Sequence, residues 1–234
     1  PYATITIPPE ITVKPPQSDQ VNFSAMAQGQ LEAGAQFILD IWAHTQSQTK
    51  QLKELVNELG RGDLKGIKQG IGIEQGSVLE VRLSLPGFEV ADPVDSLTWN
   101  GSPVNASFPV TAPKDCAEGN HSGSAIIHSH GLLICKLQFV IKIGVGARTA
   151  SEDLTVKTEY PETAFACYSS QDLNDVLGRV QGMEKGNSRL AVTVDRLDLI
   201  SGQNYHKGLE EFILTRDVFY LFWSKSASES KEVE

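Results

Sequence analysis

Cysteines, long apolar runs and a leader are scarce or absent in this sequence, and each scarcity excludes a class of protein. The three cysteines, Cys116, Cys135 and Cys167, have neither paired nor C-x-x-C spacing, so neither a disulfide framework nor a zinc knuckle is indicated. No apolar run reaches the roughly 18 residues that a membrane span requires, and no charged-then-apolar leader opens the chain. A soluble chain in the reducing cytoplasm, with no membrane partner, is therefore expected.

Basic side chains are also fewer than acidic ones. The 234 residues include 20 Lys and Arg against 29 Asp and Glu, which gives a net charge of −9. A surface that binds nucleic acid must neutralise phosphates and release their counterions, which requires an excess of basic side chains. Nucleic acid is therefore not an expected partner.

Four segments with different patterns follow one another along the chain. Residues 1–20 contain five prolines and favour an extended segment. Residues 21–144 alternate mainly with period two, residues 145–162 are mixed and polar, and residues 163–234 alternate strand-like and helix-like stretches. The order predicts an extended segment, an antiparallel β-sandwich domain, a linker and a partial α/β domain.

The β-sandwich prediction rests on alternation and turn chemistry. Residues 78–85 and 133–143 each place apolar side chains on one face of a strand, and Gly-, Pro- and Asn-rich turns separate such runs. Between residues 47 and 59 the period changes to 3.6, and Gly60 stands at the helix-stop position. One helix is therefore predicted within the sandwich.

The last segment has the pattern of a parallel sheet with crossover helices. Strands are predicted at 164–168, 190–194 and 218–223, and helices at 172–185 and 205–214, with Ser170 or Asp172 as the first N-cap. A β-α-β-α-β order requires a parallel sheet with right-handed crossovers.

Three stretches of this segment resemble a known family. TAFACYSSQD at 163–172 resembles the first box of TIR (Toll/interleukin-1 receptor) domains, although Cys167 replaces the usual small serine. VDRLDLISGQ at 194–203 is similar to the second strand and BB loop of bacterial members, and DVFYLFWS at 217–224 to the third strand. Residues 21–144 resemble, more loosely, the β-sandwich that precedes TIR domains in some bacterial proteins.

The resemblance implies a flavodoxin-like fold and an NAD⁺ glycohydrolase or cyclase in immune or stress signalling, activated by self-association through the TIR domain. NAD⁺ is then the substrate, and no cofactor is implied. The family's catalytic glutamate closes an S-x-W-V-x-x-E pattern. SKEVE at 230–234 occupies the first five places of this pattern, with Glu232 where tryptophan is usual. The catalytic position lies two residues beyond Glu234, and no catalytic residue is assigned within this chain. The alternative is a non-catalytic TIR adaptor that acts only through protein contacts.

Physical reasoning places a binding mouth in the same segment. In a doubly wound sheet, ligands bind beyond the carboxyl ends of the strands, at the point where the crossovers change face. The first strand ends there at a helix N-terminus, whose free N–H groups suit phosphate oxygens. The candidate NAD⁺-binding residues are Tyr168, Ser169, Ser170, Asp195, Ser201, Gly202 and Tyr205. Ser170 as a simple N-cap and Asp195 as a turn cap are the alternatives.

A histidine pair raises the question of a metal site. His128 and His130 are predicted to face one side of a strand, as metal ligands in a sheet can, and His121 and Cys116 are near in sequence. Polar residues on the open face of a hairpin are the simpler interpretation. No metal site is therefore predicted.

Overall fold

The computed structural model describes residues 17–29, 31–58, 64–66, 70–144, 154–194 and 213–229. In these residues the strands form two five-stranded antiparallel sheets and one three-stranded parallel sheet. The predicted combination of a large antiparallel part and a smaller parallel part is confirmed at this level.

The first antiparallel sheet has its strands in an order that differs from their order along the chain. From one edge to the other these are β3 (Ile71–Glu74), β1 (Ser18–Gly29), β2 (Gln36–Thr45), β7 (Val104–Thr111) and β5 (Glu89–Val90). In β2, alternate residues from Phe37 to Ala43 enter the core, which is the half-buried pattern of a two-layer protein.

The second antiparallel sheet contains the strands that the sequence predicts most clearly. Its order is β10 (Leu154–Glu159), β9 (Leu132–Ile143), β8 (Gly119–Ser129), β4 (Val78–Ser84) and β6 (Val94–Thr98). The register between β8 and β9 shifts between Ile127 and His128. This bulge changes the phase of β9, so that Leu132 and Ile134 are buried while Leu133, predicted to be buried, is only half-buried.

One hydrophobic core lies between the two antiparallel sheets. Phe23 and Phe108 of the first sheet belong to the same buried cluster as Leu79, Ile127 and Leu137 of the second sheet. Burial of both inner faces against each other is the ordinary solution for two half-apolar sheets. The arrangement is compatible with the predicted sandwich.

The predicted inserted helix is present as α1 (Thr49–Glu58). Its buried residues Leu52 and Val56 pack with Met26, Leu64 and the half-buried Trp42 in a small cluster of their own. Because Met26 and Trp42 alternate with core residues along β1 and β2, α1 covers the outer face of the first antiparallel sheet.

The parallel sheet has the order β12 (Ala191–Val194), β11 (Thr163–Cys167) and β13 (Val218–Leu221). A 3₁₀ turn at Ser170–Asp172 and the helix α2 (Leu173–Gly186) connect β11 to β12, and the short helix α3 (Lys225–Ser228) follows β13. Val176 and Val180 of α2 pack against Ala166 and Val194, so α2 covers one face of this sheet.

The parallel sheet is joined to the antiparallel part by buried contacts. Ala164 and Leu190 belong to the main core cluster. The Arg189 guanidinium donates to the Gly70 carbonyl at 2.8 Å and lies 4.8 Å from the centre of the Tyr160 ring. A charge-assisted hydrogen bond and a cation–π contact thus support the apolar packing.

Two parts of the chain differ from the expected organisation or fall outside the structure's description. Residues 154–159, which the sequence assigns to a linker, form β10 and pair with β9. Residues 1–16, 145–153 and most of the predicted helix at 205–214 lie outside the described residues. Among the helices that are described, none combines the length and the apolar character that crossing a membrane requires.

Candidate functional site

The carboxyl edge of the parallel sheet is formed by the ends of β11 and β13. Cys167 is the register partner of Leu221, and the Phe222 N–H extends the ladder by donating to the Cys167 carbonyl at 2.8 Å. The two strands therefore end at the same level. The chain leaves β11 through Tyr168 and Ser169 into the 3₁₀ turn and α2.

The predicted residues at the end of β11 differ in exposure. Tyr168 is 7% exposed and Ser169 is 5% exposed, whereas Ser170 is exposed. Only Ser170 of these three therefore presents its side chain to a ligand in solution. Tyr168 instead packs with Val176 and Val194 in the buried cluster that α2 covers.

The other predicted site residues fall on a segment that is not described. Asp195, Ser201, Gly202 and Tyr205 lie outside the described residues. Their proximity to Ser170 stays a prediction. Glu232 and Glu234, to which no role is assigned, also lie outside the described residues.

The start of α2 is fixed by a side chain from the end of β13. Asp172 occupies the N-cap position, one of the two residues predicted for it, but its side chain makes no capping hydrogen bond. Its carboxylate accepts from the Ser224 hydroxyl at 2.5 Å, and the Ser224 oxygen accepts from the Ala227 N–H at 2.9 Å. One serine therefore ties the beginnings of α2 and α3 together.

Ser224 and Trp223 are not among the residues predicted for the mouth, although Trp223 ends the third predicted strand and Ser224 follows it. Trp223 is 64% exposed beside Ser224, and the Ser226 hydroxyl donates to the Gln171 side chain at 3.3 Å. A serine just before a helix is an ordinary N-cap signal, which identifies Ser224 as the start of α3. Nothing local indicates its contact with Asp172, 52 residues earlier.

Asp217 lies at the amino end of the parallel sheet, where β11 and β13 begin. Its carboxylate accepts from the backbone N–H groups of Glu162 and Thr163, at 3.1 and 2.9 Å, and from the Thr163 hydroxyl at 2.9 Å. Burial opposes ionisation, but these hydrogen bonds outweigh it and hold the pKa of Asp217 below its ordinary value. The ionised carboxylate fixes how β11 and β13 begin side by side.

The histidines considered as metal ligands do not assemble into one cluster. The His121 ring nitrogen lies 3.6 Å from the Cys116 sulfur at the start of β8, whereas His128 pairs with Leu133 near the other end of that strand. His130 lies beyond β8 in the turn, with φ of 50°, rather than on the strand as expected. Within the part of the chain that the structure describes, no group of three or more His, Cys, Asp or Glu side chains could hold a metal ion.

Comparison with known proteins adds no relative. The chain matches no protein-family model, and the search of curated proteins gives no match. The resemblance to TIR domains therefore stays a prediction from the three stretches of sequence.

Proposed function

We propose that this chain carries the NAD⁺-binding part of a bacterial-type TIR effector, which cleaves NAD⁺ on self-association. The observation that supports the proposal most is the strand order β12-β11-β13 with all strands parallel. Numbered within this segment the order is 2-1-3, as at the beginning of the flavodoxin-like order, in which the switch point lies between the first and third strands. The first and third TIR-like stretches run through β11 and β13 and end beyond the carboxyl ends of these strands, on the two sides of the expected crevice.

The residues at this crevice suit a dinucleotide. Ser170 is exposed at the end of the central strand, and the amino end of α2 follows directly. Helix N-terminal amides attract phosphate oxygens because they are unpaired within the helix and lie at the positive end of its dipole. Asp195 and the loop through Tyr205 would complete the mouth from the β12 side.

Cleavage of the glycosidic bond needs a carboxylate near the nicotinamide-bearing ribose. Such a group stabilises the oxocarbenium-like transition state by its charge. By the resemblance, that glutamate falls two residues after Glu234. The proposal therefore assigns NAD⁺ binding to this chain and cleavage only to a polypeptide that continues through this position.

The test separates binding from cleavage. We expect saturation-transfer NMR to detect NAD⁺ bound to the 234-residue chain and Asp195→Ala to weaken binding, while no nicotinamide is released. A polypeptide that includes the family's glutamate should release nicotinamide, and more so when clustered. Release by the 234-residue chain would show that the carboxylate lies within it, and absence of NAD⁺ binding by both would reject the proposal.

An adaptor that acts only through protein contacts is the second candidate, and one observation favours it. Phe219, Leu221 and Trp223, on and just after the edge strand β13, are 46%, 47% and 64% exposed. Exposed apolar side chains on a strand that is at the edge of its sheet within the described residues are typical of association surfaces. If Phe219→Ser abolishes self-association while neither polypeptide binds NAD⁺, the adaptor function replaces the enzymatic one.

A further inference from the structure

A cavity of about 540 Å³ lies between the antiparallel part and the parallel part. The turn that joins β8 to β9 forms one wall, the second half of α2 forms another, and β13 contributes Tyr220, Leu221 and Phe222. Ligand cavities commonly measure about 300–1,000 Å³ and favour junctions between structural units. The volume and the position are therefore those of a small-molecule site.

The polar side chains that line this cavity can all donate a hydrogen bond, and its one formal charge is positive. Arg179 lines it and, within the described residues, makes no hydrogen bond or ion pair. Ser129 and His130 line it as well, with 3.1 Å between the Ser129 hydroxyl and His130 Nδ1. No Asp or Glu is among the described lining residues, although acidic side chains outnumber basic ones 29 to 20 in the chain.

The remaining walls are apolar or bare backbone. Leu132, Met183 and Phe222 supply apolar surface. Gly182 faces open space, because a Cβ built on it would meet no atom within 4 Å, while one on Gly186 would touch the Leu132 side chain at 3.4 Å. A ligand can therefore lie directly against the backbone of α2.

We propose that this cavity binds a small organic anion, with its carboxylate, sulfonate or phosphate on Arg179 and its apolar body against Met183 and Phe222. A guanidinium is the side chain best suited to such a group, because its planar set of N–H donors matches two oxygens at once. The ligand would touch both the β8–β9 turn and α2, so its binding would stabilise the junction. The proposal does not depend on NAD⁺ chemistry at the carboxyl edge.

Phenyl phosphate is a suitable probe, since it combines an anion with a flat apolar body. Isothermal titration should give binding tighter than about 1 mM, and inorganic phosphate and phenol should each bind more weakly than the combined molecule. Arg179→Gln should reduce the affinity about 10- to 100-fold, the usual effect of losing a charge-assisted hydrogen bond. The exposed Arg179 makes no other contact of this kind within the described residues, so the thermal midpoint without ligand should not change.

Two glycine substitutions on the same helix form a matched pair. Gly182→Leu should fill the cavity and abolish binding, whereas Gly178→Leu should not, because Gly178 is not among the lining residues. A Cβ at either position meets no atom within 4 Å, and leucine favours a helix more than glycine does, so both variants should fold.

Three results would overturn the proposal. They are no binding of phenyl phosphate, equal binding of inorganic phosphate, and unchanged affinity in Arg179→Gln together with Gly182→Leu. If Gly182→Leu does not fold by circular dichroism, the Arg179→Gln titration and the comparison with inorganic phosphate still decide.

Discussion

The antiparallel part and the parallel part of this molecule are built on different scales. Strands β1, β8 and β9 have 12, 11 and 12 residues, whereas β11, β12 and β13 have 5, 4 and 4. The antiparallel sheets bury their inner faces against each other, while the parallel sheet shares Ala164 and Leu190 with that core and adds a small cluster under α2. The parallel part therefore depends on the antiparallel part for much of its burial.

Because of this difference, we expect the antiparallel part to supply most of the stability, and the parallel part and the junction to carry recognition. The sheets with long strands bury the larger core, the carboxyl edge lies on the smaller part, and the cavity lies at the junction of the two parts. Functional sites commonly lie on loops and smaller elements that such a scaffold positions. Substitutions in each part and at the junction test how far the two parts act separately.

The largest effect is expected in the antiparallel core. Phe108→Ala removes a fully buried ring and should lower the free energy of unfolding by about 3–5 kcal/mol, with increased hydrogen exchange in both parts. Val176→Ala, on the buried face of α2, should lower the free energy of unfolding by about 2 kcal/mol. It should increase hydrogen exchange mainly in the parallel part. Equal increases everywhere in Val176→Ala would show that the molecule is a single cooperative unit.

The contact between the two parts should give the next largest effect. Arg189→Gln removes the cation–π contact with Tyr160 and weakens the bond to Gly70, which should cost about 2–4 kcal/mol. We expect one calorimetric transition to split into two as the parallel part melts first. Lys185→Gln removes the same charge at an exposed position of α2 and serves as the control. A single unsplit transition in Arg189→Gln would mean that apolar packing alone holds the junction.

Local patterns predict much of this fold, and contacts distant in sequence account for what they miss. Alternation predicts β4 and most of β9, and period 3.6 predicts α1, because each pattern depends on neighbouring residues. β10 was missed because Leu154–Glu159 is short and mostly polar, and it is a strand only through its pairing with β9. The bulge after Ile127 likewise depends on the partner strand.

The candidate site follows the same rule. The order of elements predicts that β11 ends just before a helix, and Ser170 lies there, in the 3₁₀ turn that precedes α2. The burial of Ser169 and the bond between Asp172 and Ser224 depend on how β13 ends beside β11. No local pattern contains that information.

A smaller and local effect is expected at the carboxyl edge. Ser224→Ala removes both the bond to Asp172 and the cap on Ala227, which should cost about 1–2 kcal/mol. Hydrogen exchange should increase in the first turns of α2 and α3 and stay unchanged in β8 and β9. Ser226→Ala, which loses only a 3.3 Å bond to Gln171 at an exposed position, is the control. If exchange in α2 is unchanged, the serine does not hold the helix start.

The smallest effects are expected from pH, and they occur in different ranges in the two parts. Burial lowers the pKa of His44, which contacts Ser24 and Thr49 beneath α1, although its bond to the Thr45 carbonyl opposes this. The unfolded chain therefore takes up a proton first as the pH falls below 6.5, and stability decreases from there until the folded protein is protonated too. In urea titrations the protein should lose stability over that range relative to a His44→Gln variant. A difference in the free energy of unfolding that stays constant with pH would contradict a buried His44 ring that stays neutral.

Asp217 should respond only in stronger acid, because its pKa is lowered from an ordinary value of 3.8. Above that value both the folded and the unfolded carboxyl groups are ionised, so the hydrogen bonds from Glu162 and Thr163 contribute fully. As the pH falls below it the unfolded chain is protonated first, and the contribution disappears as the pH passes through the folded pKa. The stability difference between the protein and Asp217→Asn should thus be constant near neutral pH and shrink in acid. A difference that shrinks as soon as the pH falls below 6.5, where His44 of the unfolded chain begins to take up a proton, would mean that the acid response of the parallel part is not independent of the antiparallel part.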